Sequence, residues 1–164
     1  MKKQILYKLS IIVVTLCLAF SIVACDKPAN QNGQESQDVE QVSSAVLASS
    51  LVVIEGNTVI ITADADYMNI TNTTVLIDYM QKLKTDGALN YTVREDGMIN
   101  SINGQENPAD WSKCWMLYSN DAELTNEAWG TVTVGETTYF SAVLGAEALP
   151  IKDGKIYVWE FKSF

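Results

Sequence analysis

Histidine is absent from the 164 residues, and its absence removes most hydrolytic chemistry from consideration. A Ser-His-Asp triad, a Cys-His dyad and an HExxH zinc site all need an imidazole as base or ligand. Cysteine is nearly as scarce, with three in the chain. Cys17 falls in the N-terminal leader, Cys25 directly follows it and is read as lipidated, and Cys114 is left as a single thiol that cannot form an internal disulfide. With no base to activate it, Cys114 reads as a small hydrophobe of an apolar strand and not as a nucleophile. No glycine-rich loop follows a strand, which excludes a phosphate cradle of the usual kind. Basic residues are few: 11 Lys and Arg against 20 Asp and Glu give a net charge of −9. Loss of Lys2, Lys3 and Lys8 with the leader takes the mature charge to about −12, which argues against nucleic acid and against charge-driven adhesion to anionic lipid. The acidic residues single out no site. Asp64-Ala65-Asp66 opens like a calcium loop, but the glycine and later glutamate of such a loop are missing. Carboxylate pairs suited to glycoside hydrolysis are too numerous for one to be informative. The chain reads as non-enzymatic and without a cofactor or metal.

What is present begins with a leader. Lys2, Lys3 and Lys8 make a basic start, and Leu9 to Val23 is apolar apart from Ser and Thr. The apolar run is shorter than the ~20 residues of a membrane span, and small residues follow it, so Met1 to Ala24 reads as a secretory signal peptide. Ala24-Cys25 resembles a bacterial lipobox. That resemblance implies cleavage before Cys25, acylation of its thiol by palmitate-type chains, and anchoring to the outer face of a bacterial cell membrane; dual acylation anchors far better than a single chain. Residues 25–50 read as a disordered polar tether, dominated from Asp26 to Ser44 by Asn, Gln, Ser, Glu and Asp. Such composition cannot bury enough surface to offset its ordering entropy. A strand is expected from about Leu51, and 51–164 form the one folded domain.

Within that domain Thr58 to Thr62 is a strand by β-branched content, and Met68 to Thr71 reads as a shorter one. Thr71, Asn72 or Thr73 caps a helix whose Val75, Leu76, Tyr79, Met80 and Leu83 share one face. Asp78 and Lys82 form a surface pair on it, and Asp86-Gly87 ends it. Further strands are expected at Leu89–Val93, Met98–Ile102, Cys114–Tyr118 and Ile156–Phe161, the last with Tyr157, Trp159 and Phe161 on one face. Asn103-Gly104 is a tight turn, since both residues tolerate positive φ. Trp129 to Leu149 reads as a long irregular insertion with β-like pieces around Gly135. The pattern is α+β: one amphipathic helix across a sheet.

Several of these stretches carry a resemblance. Ile99-Asn100-Ser101-Ile102-Asn103-Gly104, with Trp115-Met116-Leu117-Tyr118-Ser119-Asn120 downstream, is similar to the core motifs of the transcobalamin-like C-terminal domain family. Thr74 to Met80 resembles that family's helix, and Ile151 to Phe161 its closing strand. The family occurs on many bacterial surface lipoproteins, and much of it has no assigned function. The resemblance spans roughly Thr58 to Phe164 and implies a β-grasp-like fold, with one amphipathic helix packed on a curved mixed sheet. Asp121 stands after Asn120 where the family often has glycine, so that turn departs from the pattern.

Aromatic residues on loops held by a rigid sheet are typical contacts for flat ligands. Trp111, Trp129 and Tyr139 are the expected stacking side chains, with backbone groups at Asn103 and Gly104 adding polar contacts. The resemblance implies capture of a corrinoid such as cobalamin, or another flat small molecule, for uptake through a membrane transporter component. The other class of function is a non-enzymatic cell-surface interaction or adhesion module that binds protein or wall polymer.

Overall fold

The computed structural model describes residues 35–163. The expected signal peptide, the expected acylation site Cys25 and the first part of the expected tether lie outside the described residues. The chain runs α1 (Glu35–Ser50), β1 (Val52–Glu55), β2 (Thr58–Thr62), α2 (Leu76–Thr85), β3 (Tyr91–Val93), β4 (Ile99–Ile102) and β5 (Gln105–Glu106). It continues with β6 (Lys113–Ser119), β7 (Thr125–Val134), β8 (Thr137–Ala142) and β9 (Ile156–Ser163). The class is mixed α+β.

Six strands form one sheet in the order β1-β2-β9-β6-β8-β7, and β3-β4-β5 form a second. This corrects the single mixed sheet expected from sequence. Each described pairing is antiparallel. The last strand, β9, enters between β2 and β6 and runs against both, so these two run the same way without touching. Trp159 marks the seam, opposite Val59 on one side and Leu117 on the other. Paired residues share a face, so Val59, Ile61, Tyr157, Trp159, Phe161, Trp115 and Leu117 all belong to one buried side.

Helix α2 covers that side with Leu76, Tyr79, Met80 and Leu83, each at 0% exposure. Burying a large side chain of this kind contributes about 1.5–3 kcal/mol, so the four contacts anchor the helix far more strongly than its propensity does. Its start differs from expectation. The residue before the helix is Val75, and no threonine caps it. The first N–H groups are satisfied by distant carbonyls instead, Leu76 donating to Leu149 (2.9 Å) and Ile77 to Ala146 (3.0 Å). Thr71 and Thr74 bond to one another and to local backbone. Together with the turn at Asp64, this local bonding replaces a ladder at Met68–Thr71, where a strand was expected. Asp78 caps the N–H of Val75 weakly (3.4 Å), and Lys82 pairs with Asp86 at 2.8 Å, not with Asp78.

Two segments are more ordered than their composition suggests. The tether from Glu35 onward is helix α1, not extended chain. Its Ser44 donates to Asp86 (2.6 Å) and its Ala48 is fully buried, so tertiary contacts hold a helix that lacks an amphipathic pattern. The insertion at Trp129–Leu149 is largely the β7–β8 hairpin, closed by a two-residue turn at Gly135-Glu136. Val132 and Tyr139 of this hairpin pack with Tyr118 and Val158 as a second cluster, on the opposite face of the sheet from α2.

Candidate functional site

A cleft of about 450 Å³ opens where β6 and β9 meet the segment after β8. Its floor carries Trp115, Leu117 and Trp159, and one wall is the β3–β4 turn at Asp96-Gly97-Met98. The other wall is the segment Ser141–Ala148. Hydrogen bonds fix that segment at both ends: Val143 donates to Leu124 (3.0 Å), and Ala146 and Leu149 accept from the N-terminus of α2. The same bonds that cap the helix therefore hold the wall.

The mouth is apolar. Met98, Val143 and Leu144 are 46%, 36% and 41% exposed, and all three line the cleft. Grouped apolar side chains at a concave opening mark a contact surface more often than isolated ones do. Gly97 is favoured here because at φ +81° a side chain is strained, and a Cβ would also displace the flexible Glu147 carboxylate across the cleft. Asp96 sits at the rim, and the N–H of Met98, with the Arg94 guanidinium beside it, holds its carboxyl below the usual range.

The two floor indoles differ. Trp115 donates its Nε1–H to the Gln105 carbonyl at 2.8 Å, whereas the buried Nε1–H of Trp159 has no partner among the described residues. Chemically the cleft can hold an apolar ring or chain against indole and thioether surface, with carboxylates at its edge.

The residues expected from sequence are not brought together. Trp111 lines a separate polar cleft with Arg94, Asn100 and Glu106. Trp129 stands 61% exposed on the edge strand β7. Tyr139 is only 6% exposed in the second cluster, which corrects its placement on an accessible loop. Alternation along β8 turns it inward, while the neighbouring Thr138 stays outside. Asn103 (φ 49°) and Gly104 (φ 81°) form the expected β4–β5 turn. Asn103 spends its backbone N–H and its side-chain oxygen on Asn90. Asp64, read as an acidic turn, accepts from the N–H groups of Asp66 and Tyr67.

Sequence reasoning did not find the cleft residues Met98, Val143, Leu144 and Glu147. The one local signal was the adjacent apolar pair Val143-Leu144 next to Gly145 in a stretch otherwise read as loop. Among the described residues no helix is long and apolar enough to cross a membrane. Compared with protein-family models, curated proteins and solved structures, the chain matches none.

Proposed function

We propose that this chain is a lipoprotein held at the outer face of the bacterial membrane through acylated Cys25, whose domain captures a flat, largely apolar small molecule. The observation that carries this reading is the apolar cleft, with two indoles as its floor and Met98, Val143 and Leu144 at its mouth. The domain is read as β-grasp-like, because one amphipathic helix lies across the buried face of the main sheet, and the motif resemblance points the same way. A corrinoid is the first candidate ligand on that resemblance, delivered onward to a membrane transporter component. The cleft lies within the usual range for ligand sites of about 300–1,000 Å³, but a single domain covers only one face of so large a ring. Affinity is therefore expected to be micromolar.

Calorimetric titration of the full chain with cyanocobalamin and cobinamide tests the ligand. Leu144→Glu, which places a charge at the mouth, should abolish the heat. No heat at roughly millimolar ligand, where even about −4 kcal/mol of binding would register, rules the corrinoid out. Metabolic labelling with a fatty-acid analogue tests the anchor, and label retained by Cys25→Ser refutes it. The second reading, a surface interaction module for protein or wall polymer, is favoured by one observation: Trp129 presents most of its indole to solvent from an edge strand.

A further inference from the structure

Arg94 is the only arginine in the chain, and its guanidinium carbon lies 4.6 Å from the centre of the Trp111 ring. Trp111 has φ 56°, a conformation that bulky residues rarely adopt and that the surroundings must enforce. They do so from both sides. The N–H of Trp111 donates to the Pro108 carbonyl (3.0 Å), and Asp110 accepts from the backbone and hydroxyl of Ser112 (3.1 and 2.8 Å). Asn107 donates to the Ile99 carbonyl (2.8 Å) and accepts from the N–H of Trp115 (3.1 Å). Arg94 is held in turn by Asp96, through Nε at 3.3 Å and Nη2 at 3.1 Å. The indole belongs to neither hydrophobic cluster and remains partly exposed. The strain therefore serves no core packing. It presents a flat ring at the edge of a cleft of about 580 Å³ that also carries Asn100 and Glu106.

We propose that this cleft is a saccharide-binding subsite, distinct from the apolar cleft. The exposed part of the Trp111 indole stacks on the C–H face of a sugar ring, while Asn100, Glu106 and Arg94 bond its hydroxyls. The residue types favour that class. A planar amide, a carboxylate and a guanidinium each offer paired hydrogen-bonding atoms at the spacing of neighbouring hydroxyls. Phosphate or another anion is disfavoured, because Asp96 and Glu106 offset the one cation. The β3–β4 turn separates the two sites, with Arg94 on the polar cleft and Asp96 to Met98 on the apolar one. The proposal accordingly does not rest on the corrinoid reading, and either can fail alone.

The four indole N–H signals of the full chain give the test by NMR, with Trp111 assigned from Trp111→Phe. Tetraacetylchitotetraose and maltotetraose are the probes. The expected result is a saturable shift of the Trp111 signal by one of them, with Kd about 1 mM and the Trp115 and Trp159 signals unmoved. Trp111→Ala should weaken binding about tenfold, Trp111→Phe should retain most of it, and Glu106→Gln should weaken it with the fold intact. If Trp111→Ala does not fold, the exposed Glu106→Gln carries the comparison. No shift at about 10 mM of either tetrasaccharide, binding unchanged in Glu106→Gln, or shifts confined to Trp115 and Trp159 would each overturn the proposal.

Discussion

Two buried indoles on one sheet face provide a matched pair for testing the energetics of the cleft floor. Trp115 and Trp159 are 6% and 4% exposed, yet only Trp115 has a partner for its N–H, the Gln105 carbonyl at 2.8 Å. Replacing either with Phe removes about three buried heavy atoms, a loss of about 2 kcal/mol at the usual value per buried carbon. For Trp159→Phe that loss is offset, because a buried unpaired donor costs about 1–3 kcal/mol and the substitution removes it. The net change should therefore lie within about 1 kcal/mol of zero, in either direction. Trp115→Phe gains no such offset and strands the Gln105 carbonyl, so it should cost about 3 kcal/mol. Urea unfolding followed by far-UV circular dichroism separates the two. At a slope of about 1–3 kcal/mol/M, the midpoints should differ by about 1 M or more, with Trp159→Phe the more stable. Equal midpoints would refute the reasoning, since they would mean that the Trp159 N–H finds a partner in solution.

Ser44→Ala removes the 2.6 Å hydrogen bond to the Asp86 carboxylate and should cost about 1–2 kcal/mol. A chain that begins at Ala45 should melt below one that begins at Glu35, and equal melting temperatures would place α1 outside the cooperative unit. Burial pushes the Asp86 carboxyl up, but hydrogen bonds from Lys82, Ser44 and Tyr67 outweigh it and hold the group below the usual carboxylate range. A depressed folded value means that its contribution is complete above the unfolded value of about 3.9 and is lost as pH falls through the folded one. Stability should thus decline below about pH 4, and Asp86→Asn, already weakened at neutral pH, should show a shallower decline in melts across that range. Burial pushes the Cys114 thiol up, so an aromatic disulfide reagent should leave it unmodified in native protein and titrate it in urea. Rapid native labelling would show that the strand opens.

Strand β2, the buried face of α2, the positive-φ turn at Asn103-Gly104 and the shared face of Tyr157, Trp159 and Phe161 were all legible in the sequence. Each rests on a period of two or 3.6 residues, or on a local φ preference, that neighbours in the chain are enough to express. The clefts were not legible. Trp115 and Trp159 stand 44 positions apart in the numbering and share a floor only because β9 enters between β2 and β6, a pairing decided by which long-range faces bury together. Tyr139 and Trp129 looked alike as aromatics near turns; alternation along β8 sends Tyr139 into a cluster, whereas Trp129 lies in the irregularity of β7 between Asn126 and Thr131 and stays in solvent. Helix α1 carries no amphipathic signal, because its stability comes from Ser44 meeting Asp86 and Ala48 meeting the core, not from its own composition. Periodicity determined which residues turn inward along each element. The contacts between elements distant in the chain decided which of those residues border open space, since a cleft exists only where two such elements fail to close on each other.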